Sequence, residues 1–300
     1  METFKSGFIS IIGRTNAGKS TLLNTLVGEK VAITTYKSQT TRTTIKAIVN
    51  RKNSQMVFID TPGIHKSTTK LGNVMIETAY GAILNSDLTL FIIDGSYGKI
   101  GKGDKAVLDK IKESNPKTIL VINKMDLMKK EDILKTINMY KDEYNFLSII
   151  PISAEKQKNI EELLNEIEKH LPEGPAYYNT DEYTDQTERQ LAEETIREKA
   201  LKLLDDEIPH GIYVEAEKMK LKKTQKGEPI YNIEATIYCL RDSHKGIIIG
   251  KDGEMLKRIA TYARQDLEKM LQIKINLKVW VKVQKNWQDN PIFVKRFENK

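Results

Sequence analysis

Apolar residues in the first half of the chain fall into two alternating patterns. Short runs rich in β-branched side chains, at 7–12, 45–49, 56–60, 88–94, 118–123 and 147–150, read as strands. Between most of them the apolar positions recur at helical spacing, as in Ala106, Leu108 and Ile111, and again in Ile160, Leu163, Leu164 and Ile167. Strand-helix alternation of this kind predicts an α/β domain whose mostly parallel sheet is flanked by helices on both faces. The pattern stops at Leu171-Pro172-Glu173-Gly174-Pro175, and the polar stretch 179–187 shows no periodicity. An α+β pattern follows: a helix over 188–204, strands near 211–219 and 230–239, and a glycine-bounded turn at 250–253 that leads into a helix through Met270. A strand over 273–283 and a short helix after Asn286 complete it. The expected organisation is a first domain over 1–173, a linker over 174–187 and a second domain over 188–300.

Composition narrows this picture. A chain of 300 residues, 39% of them hydrophobic, can build a core in each domain. With one cysteine, Cys239, no intramolecular disulfide can form, and a small buried strand residue is its expected role. The apolar stretch 8–12 is too short for a signal peptide, and no run approaches the roughly 18 apolar residues of a membrane span. The expectation is a soluble, cytoplasmic monomer. Charge is segregated along the chain: 174–217 holds 4 basic and 12 acidic residues, net −8, whereas 218–300 holds 19 and 9, net +10. A polyanion partner for the last third accounts for that distribution, and a solvated basic face is the alternative.

The first chemical signal is Gly13-Arg14-Thr15-Asn16-Ala17-Gly18-Lys19-Ser20, a GxxxxGK[ST] string between a predicted strand and a helix that begins at Thr21. Its glycines let backbone N–H groups wrap a phosphate chain, and the helix N-terminus adds a positive dipole end. Lys19 is placed to reach the β- and γ-phosphates, and Ser20 to give its hydroxyl to magnesium. Asp60-Thr61-Pro62-Gly63 ends the third predicted strand. There Asp60 can hold the magnesium shell and the Gly63 N–H can meet a γ-phosphate, although the same string alone is an ordinary turn. Asn123-Lys124-Met125-Asp126 decides the base. A carboxylate at Asp126 can accept both guanine N–H groups where adenine offers none, a distinction worth roughly 10⁴-fold. Ser153-Ala154, after the last strand, fits a backbone contact to the guanine carbonyl. The ligand read from these residues is GTP, with GDP as product.

These four elements in this order resemble the TRAFAC class of GTPases over roughly residues 5–170. Thr15-Asn16-Ala17 and the later run Gln39-Thr40-Thr41-Arg42 are similar to the Era, MnmE and Der group within it. That resemblance implies that a threonine of the first switch completes the magnesium shell, with Thr41 the matching position and Thr40 its rival. Magnesium would then sit on Ser20, Thr41 and Asp60, and the catalytic set would be Lys19, Thr41 and Gly63. Ras-like proteins carry a glutamine where this chain has Ile64, and isoleucine cannot orient water. The resemblance implies a substitute, a potassium ion held partly by Asn16; Arg14 or Arg42 as a cis-acting cation is the alternative. Intrinsic turnover is expected near the roughly 10⁻⁴ s⁻¹ of unstimulated small GTPases.

In the second domain, Ile247-Ile248-Ile249-Gly250-Lys251-Asp252-Gly253 places two glycines three apart, after an apolar run and before a helix that carries Lys257, Arg258 and Arg264, with Ile248 to Gly253, Lys257 and Arg258 the candidate RNA contacts. Such a turn lets a nucleic-acid backbone approach closely beside an apolar groove for unstacked bases, although a helix-capping turn would look the same. A helix on each side and the strand over 273–283 make the segment resemble the KH RNA-binding module. A GTPase domain of this group followed by a KH-like domain resembles the Era family over essentially the whole chain. It implies contact with the 3′ end of 16S rRNA and a role in maturing the small (30S) ribosomal subunit. The histidines His65, His170 and His210 have no metal-ligand spacing, and Trp280 and Trp287 read as packing residues. Two rivals stay open: an RNA-binding scaffold in which hydrolysis is incidental, and a peripheral membrane GTPase whose lysines at 218–226 meet acidic lipid.

Overall fold

The computed structural model describes residues 3–35, 42–62, 68–205 and 208–298. The chain forms two compact units, one built mainly from the residues up to Asp185 and the other mainly from Gln186–Lys295. In the first, strands β1 (Lys5–Ile12), β2 (Ile45–Arg51), β3 (Ser54–Asp60), β4 (Leu88–Asp94), β5 (Thr118–Asn123) and β6 (Ser148–Pro151) form one sheet in the order β2-β3-β1-β4-β5-β6. All neighbours are parallel except β2 against β3, which a tight turn joins. Helices α1 (Lys19–Val27), α2 (Lys70–Leu84), α3 (Lys102–Ser114), α4 (Lys130–Tyr140) and α5 (Ile160–His170) cover it.

Alternation along the central strands feeds two cores. Leu90, Ile92, Ile119 and Val121 face α1 and α5 with Leu22, Leu163 and Ile167, while Phe91, Ile93, Leu120 and Ile122 face the other way, onto Ala79, Ile83, Leu108 and Ile111 of α2 and α3. Strands buried on both faces lack the polar alternation of an amphipathic strand, which is why they read as continuous apolar runs. Their carboxyl ends line up on one edge, where register pairs Ile11 with Asp60 and Asp94 with Asn123.

The segment expected as a linker is, as far as Asp185, laid along the edge of this sheet. Gln55 accepts from the N–H groups of Tyr177 and Tyr178, at 2.7 and 2.9 Å, and donates to Tyr178 O at 2.8 Å. Ile48 N–H donates to Tyr183 O at 3.0 Å, Thr184 Oγ1 donates to Lys46 O at 2.9 Å, and Lys46 pairs with Asp185 at 3.2 Å. These bonds satisfy the edge strand β2, which would otherwise present open backbone groups. They use backbone atoms and polar side chains, so no apolar period announces them.

The second unit opens on α6 (Glu188–Leu203), started by a reciprocal capping box between Thr187 and Gln190. Strands β7 (Tyr213–Lys223), β8 (Pro229–Cys239) and β9 (Lys274–Val283) form a sheet in which β8 pairs antiparallel with β7 and parallel with β9. Helices α7 (Asp242–Ile249) and α8 (Glu254–Leu271) join α6 on one face, around Ile196, Val214, Ile237, Cys239, Ile259 and Ala263. Cys239 is buried in β8, as expected. Trp287 is buried too, and its indole donates to Gly211 O at 2.9 Å. Trp280 is not a packing residue: it is 43% exposed, because its position on β9 points away from the helices. A last helix, α9, covers Pro291–Glu298. Among the described residues no helix is long and apolar enough to cross a membrane.

Candidate functional site

The phosphate loop runs from the end of β1 into α1 with little room for side chains. A Cβ on Gly13 would stand 2.3 Å from Ile92 O, and one on Gly18, at φ 99, would stand 2.2 Å from Asn123 Nδ2. Asn16 takes φ 64 at the exposed tip, a conformation asparagine tolerates. Ala17 is buried, and Thr15 and Thr21 are half-buried on either side. Lys19 is buried, and its ammonium donates to the carbonyls of Gly13 and Arg14 at 3.1 and 3.0 Å. Burial lowers its pKa, and the Asp60 charge opposes that shift. Ser20 Oγ donates to Asp60 Oδ2 at 2.9 Å. A hydroxyl and a carboxylate in contact are hard oxygen donors, which suits a magnesium ion that completes its shell with phosphates and water. Thr61 pins the strand end by donating from Oγ1 to Ile11 O at 3.0 Å, and Pro62 is buried beside it.

The base-recognition residues come from the ends of β5 and β6. Asn123 is buried; its amide donates to Ala17 O at 2.9 Å and its Oδ1 accepts the Ala154 N–H at 3.0 Å. One side chain therefore ties the phosphate loop to the Ser153-Ala154 loop. Ala154 is held further by Thr25, whose Oγ1 donates to its carbonyl at 2.9 Å. Of the backbone donors in the Ser153-Ala154 pair, the Ala154 N–H is here given to Asn123 and the Ser153 N–H to Lys158 O at 3.2 Å. Buried Ser153 accepts from the Lys156 N–H at 3.1 Å, which closes that loop. Asp126 is half-buried on a short 3₁₀ turn, and its carboxylate makes no hydrogen bond or ion pair among the described residues. It is the acceptor left to meet a base.

Two carboxylates that sequence reasoning missed hold this arrangement. Asp94, at the end of β4, pairs with Lys124 Nζ at 2.7 Å and Arg14 at 3.4 Å; Asp104, on α3, meets Arg14 Nε at 3.4 Å. Arg14 also lies over the Tyr97 ring, 5.0 Å from its centre. Burial alone would raise the Asp94 pKa, but hydrogen bonds from Lys124 and Ser96 outweigh it and hold the carboxyl below its usual range. Burial pushes Asp104 up. The available signal was position: Asp94 ends a predicted strand in the same row as Asn123. An arginine committed to two carboxylates is poorly placed to serve as a cis-acting cation at the phosphates. Arg42, the other candidate, is buried. Thr40, Thr41, Gly63, Ile64 and His65 lie outside the described residues. His170 pairs with Glu166 at 3.3 Å, and the described residues contain no cluster of metal-binding side chains.

In the second unit, Gly250 and Gly253 close α7 and open α8. Gly250 combines φ 74 with ψ 174, essentially a glycine-only conformation, and a Cβ there would stand 2.7 Å from Met255 Cβ. Gly253, at φ 78, has nothing within 4 Å of an added Cβ, so its flank lies open to a backbone from outside. Lys251, Asp252, Lys257 and Arg258 are exposed around the turn. Ile248 corrects the sequence reading: it is 0% exposed in the core and cannot touch RNA. The helical period turns it inward and leaves Ile247 52% exposed, while Ile249 packs partly against the core. Tyr262, exposed one turn after Arg258, adds an aromatic face that the sequence reading passed over.

These two sites define the class, a P-loop GTPase joined to a KH module. Residues 8–124 match the family described as 50S ribosome-binding GTPase, and residues 207–288 match the KH domain family. The chain is 51% identical over 291 residues to the GTPase Era of Clostridium kluyveri, covering 97% of this chain and 98% of the relative. It is 50% identical over 295 residues to the GTPase Era of Clostridioides difficile strain 630, with 98% of each covered. A crystal structure of Era in complex with MgGDPNP and nucleotides 1506–1542 of 16S ribosomal RNA superposes with a TM-score of 0.93 at 38% identity, covering 98% of each chain. An Aquifex aeolicus Era variant bound to GDP and AlF4⁻ gives 0.92 at 37%, covering 98% of this chain and 99% of that one. The chain belongs to the Era family of GTPases.

Proposed function

We propose that the protein grips the 3′ end of 16S rRNA through its KH module, under control of bound guanine nucleotide, and acts in maturing the small ribosomal subunit. The observation that carries this reading is the pairing, in one chain, of a nucleotide site built on Lys19, Ser20, Asp60, Asn123 and Asp126 with an open flank at Gly253. The Era relative solved with MgGDPNP and 16S rRNA nucleotides supports it.

Hydrolysis in such a site is electrostatic positioning more than covalent chemistry. Lys19 brings a buried cation against the phosphate loop, and the loop's N–H groups fix the phosphate chain. Ser20 and Asp60 would hold magnesium, which when bound neutralises charge developing on the phosphate oxygens. Asn16 would hold a potassium ion where Arg14, engaged by Asp94 and Asp104, does not reach. Equal hydrolysis rates in potassium and sodium buffers would remove that ion from the account. The function itself is tested by anisotropy titration of a labelled RNA copying the 3′ end of 16S rRNA onto protein loaded with GDP or with a non-hydrolysable GTP analogue. Affinity at least roughly tenfold higher in the GTP-like state is expected, about 1.4 kcal/mol of coupling. Equal affinities would reduce the protein to an RNA-binding scaffold.

A further inference from the structure

The helices that carry the GxxG turn cover one face of the sheet β7-β8-β9, and the other face bears a pattern that neither site uses. Side chains alternate along a strand, so every second residue points away from the helices. Strand register sets these residues in rows across the sheet. Lys218, Glu234 and Lys278 form one row, Lys220, Asn232 and Asn276 the next, and Lys222, Ile230 and Lys274 the third. Two columns of lysines thus stand two strand spacings apart, about 10 Å, on either side of the middle strand. Above the first row the next outward position on β9 is Trp280, exposed and paired with Thr236.

Charge on this face is lopsided. At the Trp280 end carboxylates balance the cations: Glu234 holds Lys218 at 2.8 Å and Glu217 holds Lys282 at 3.0 Å. Lys278, in the row of Glu234, feels that carboxylate's charge but forms no close ion pair with it. At the other end Lys220, Lys222 and Lys274 have no ion pair among the described residues, and the row of Lys220 is completed by an Asn232–Asn276 amide pair at 2.8 Å. Like charges at every second position of β7, facing another on β9 across the middle strand, repel, so this end does nothing for the sheet's own stability. A face kept only for solubility would interleave signs, as the Trp280 end does. A cationic track beside an exposed aromatic is the combination that holds a nucleic-acid strand without reading its sequence: lysines take phosphates and the ring stacks a base.

We propose that this sheet face is a second RNA contact, which takes the phosphate backbone of single-stranded RNA flanking the segment held at the GxxG turn, with a base stacked on Trp280. The proposal rests on the RNA-binding reading of the KH module. RNA reaching both surfaces gains affinity by the tether alone, because its second contact becomes intramolecular.

The test uses full-length protein and two RNAs, a single strand of roughly 12 nucleotides copying the 16S 3′ end and the same strand extended by roughly 20 uridines, titrated at several salt concentrations. Wild type should bind the longer RNA at least roughly tenfold more tightly, with a steeper salt slope. The variant with Lys220, Lys222, Lys274 and Lys278 each changed to Gln should bind the short RNA as wild type does and lose the gain. Its salt slope on the long RNA should fall by about 3, at about 0.7 per phosphate. Because Trp287 is buried, acrylamide quenching of tryptophan fluorescence in the wild type reports mainly Trp280, so the readout survives even if the variant fails to fold. The long RNA should protect Trp280 and the short one should not. An unchanged slope, or Trp280 equally quenchable with either RNA, overturns the proposal. So does loss of flotation with phosphatidylserine vesicles while RNA affinity stays at the wild-type level, which would assign the face to lipid. Failure of the GxxG reading is seen separately, as a Gly253→Asp variant that binds the short RNA normally.

Discussion

Gly18→Ala is a small change with a large consequence worked from the structure. The residue has φ 99, and its new Cβ would stand 2.2 Å from Asn123 Nδ2, where ordinary contact begins at 3.4 Å. Asn123 would have to withdraw by about 1 Å, yet it is buried and bonded on both sides, to Ala17 O and to the Ala154 N–H. Breaking both bonds leaves a buried acceptor and a buried donor unmatched, at about 1–3 kcal/mol each. Strain of a non-glycine residue at this φ adds about 1–2 kcal/mol. Asn123 joins the phosphate loop to the base loop, so much of this sum should appear in nucleotide binding, as a rise of roughly 10²–10³-fold in the Kd for GDP. Gly28→Ala is the control: φ is 79 as well as positive, but nothing lies within 4 Å of the added Cβ. It should lower stability by about 1 kcal/mol and leave GDP affinity untouched. Titration with a fluorescent GDP analogue, with thermal melts of both variants, measures the pair. A Gly18→Ala Kd within threefold of wild type would refute the reasoning, because the clamp through Asn123 would then carry no binding energy.

Asp126→Asn should weaken GTP binding by roughly 10³-fold or more and favour xanthine nucleotides, measured by competition; retained guanine preference would mean that another group reads the base. Asp94 has a lowered pKa in the fold, so its contribution is complete above its ordinary value of 3.8 and is lost as pH falls through the lowered value. Melting temperatures of wild type and Asp94→Asn should therefore differ by a constant amount above about pH 5 and converge in stronger acid, whereas a gap that widens towards acid contradicts the pairing with Lys124. Gln55→Ala removes the bonds that hold Tyr177 and Tyr178, a local loss of about 2–3 kcal/mol. Limited proteolysis should then cut within 174–185 several-fold faster at unchanged GTP turnover, and unchanged cutting would mean that other bonds hold the strap.

Much of this was legible in the chain because the chemistry is local. The loop from Gly13 to Ser20, Asp60-Thr61 and Asn123 to Asp126 each sit at the end of a strand visible as an apolar run, and strand ends of a parallel sheet share one edge. What was not legible depends on contacts distant in sequence. Asp94 and Asp104 look like surface acids until the fold brings Arg14 and Lys124 to them. The strap over 174–185 is held by backbone bonds to Gln55 and β2, which leave no periodic trace. Ile247, Ile248 and Ile249 form one apolar run, and only the helical phase decides that Ile248 is core and Ile247 exposed. Trp280 differs from Trp287 in the same way: strand parity turns it outward.

The central claim, that one chain couples GTP hydrolysis to RNA held at the GxxG turn, is tested most directly by GTP turnover with and without an RNA copying the 3′ end of 16S rRNA, on wild type and on Gly253→Asp. Nothing lies within 4 Å of an added Cβ at position 253, and aspartate is among the residues that tolerate its φ of 78, so at a strain of about 1 kcal/mol the variant should fold and keep its basal turnover while placing a carboxylate where a phosphate would lie. The account predicts stimulation by RNA in the wild type that the variant loses. Turnover unchanged by RNA in both, or stimulated equally in both, would contradict it.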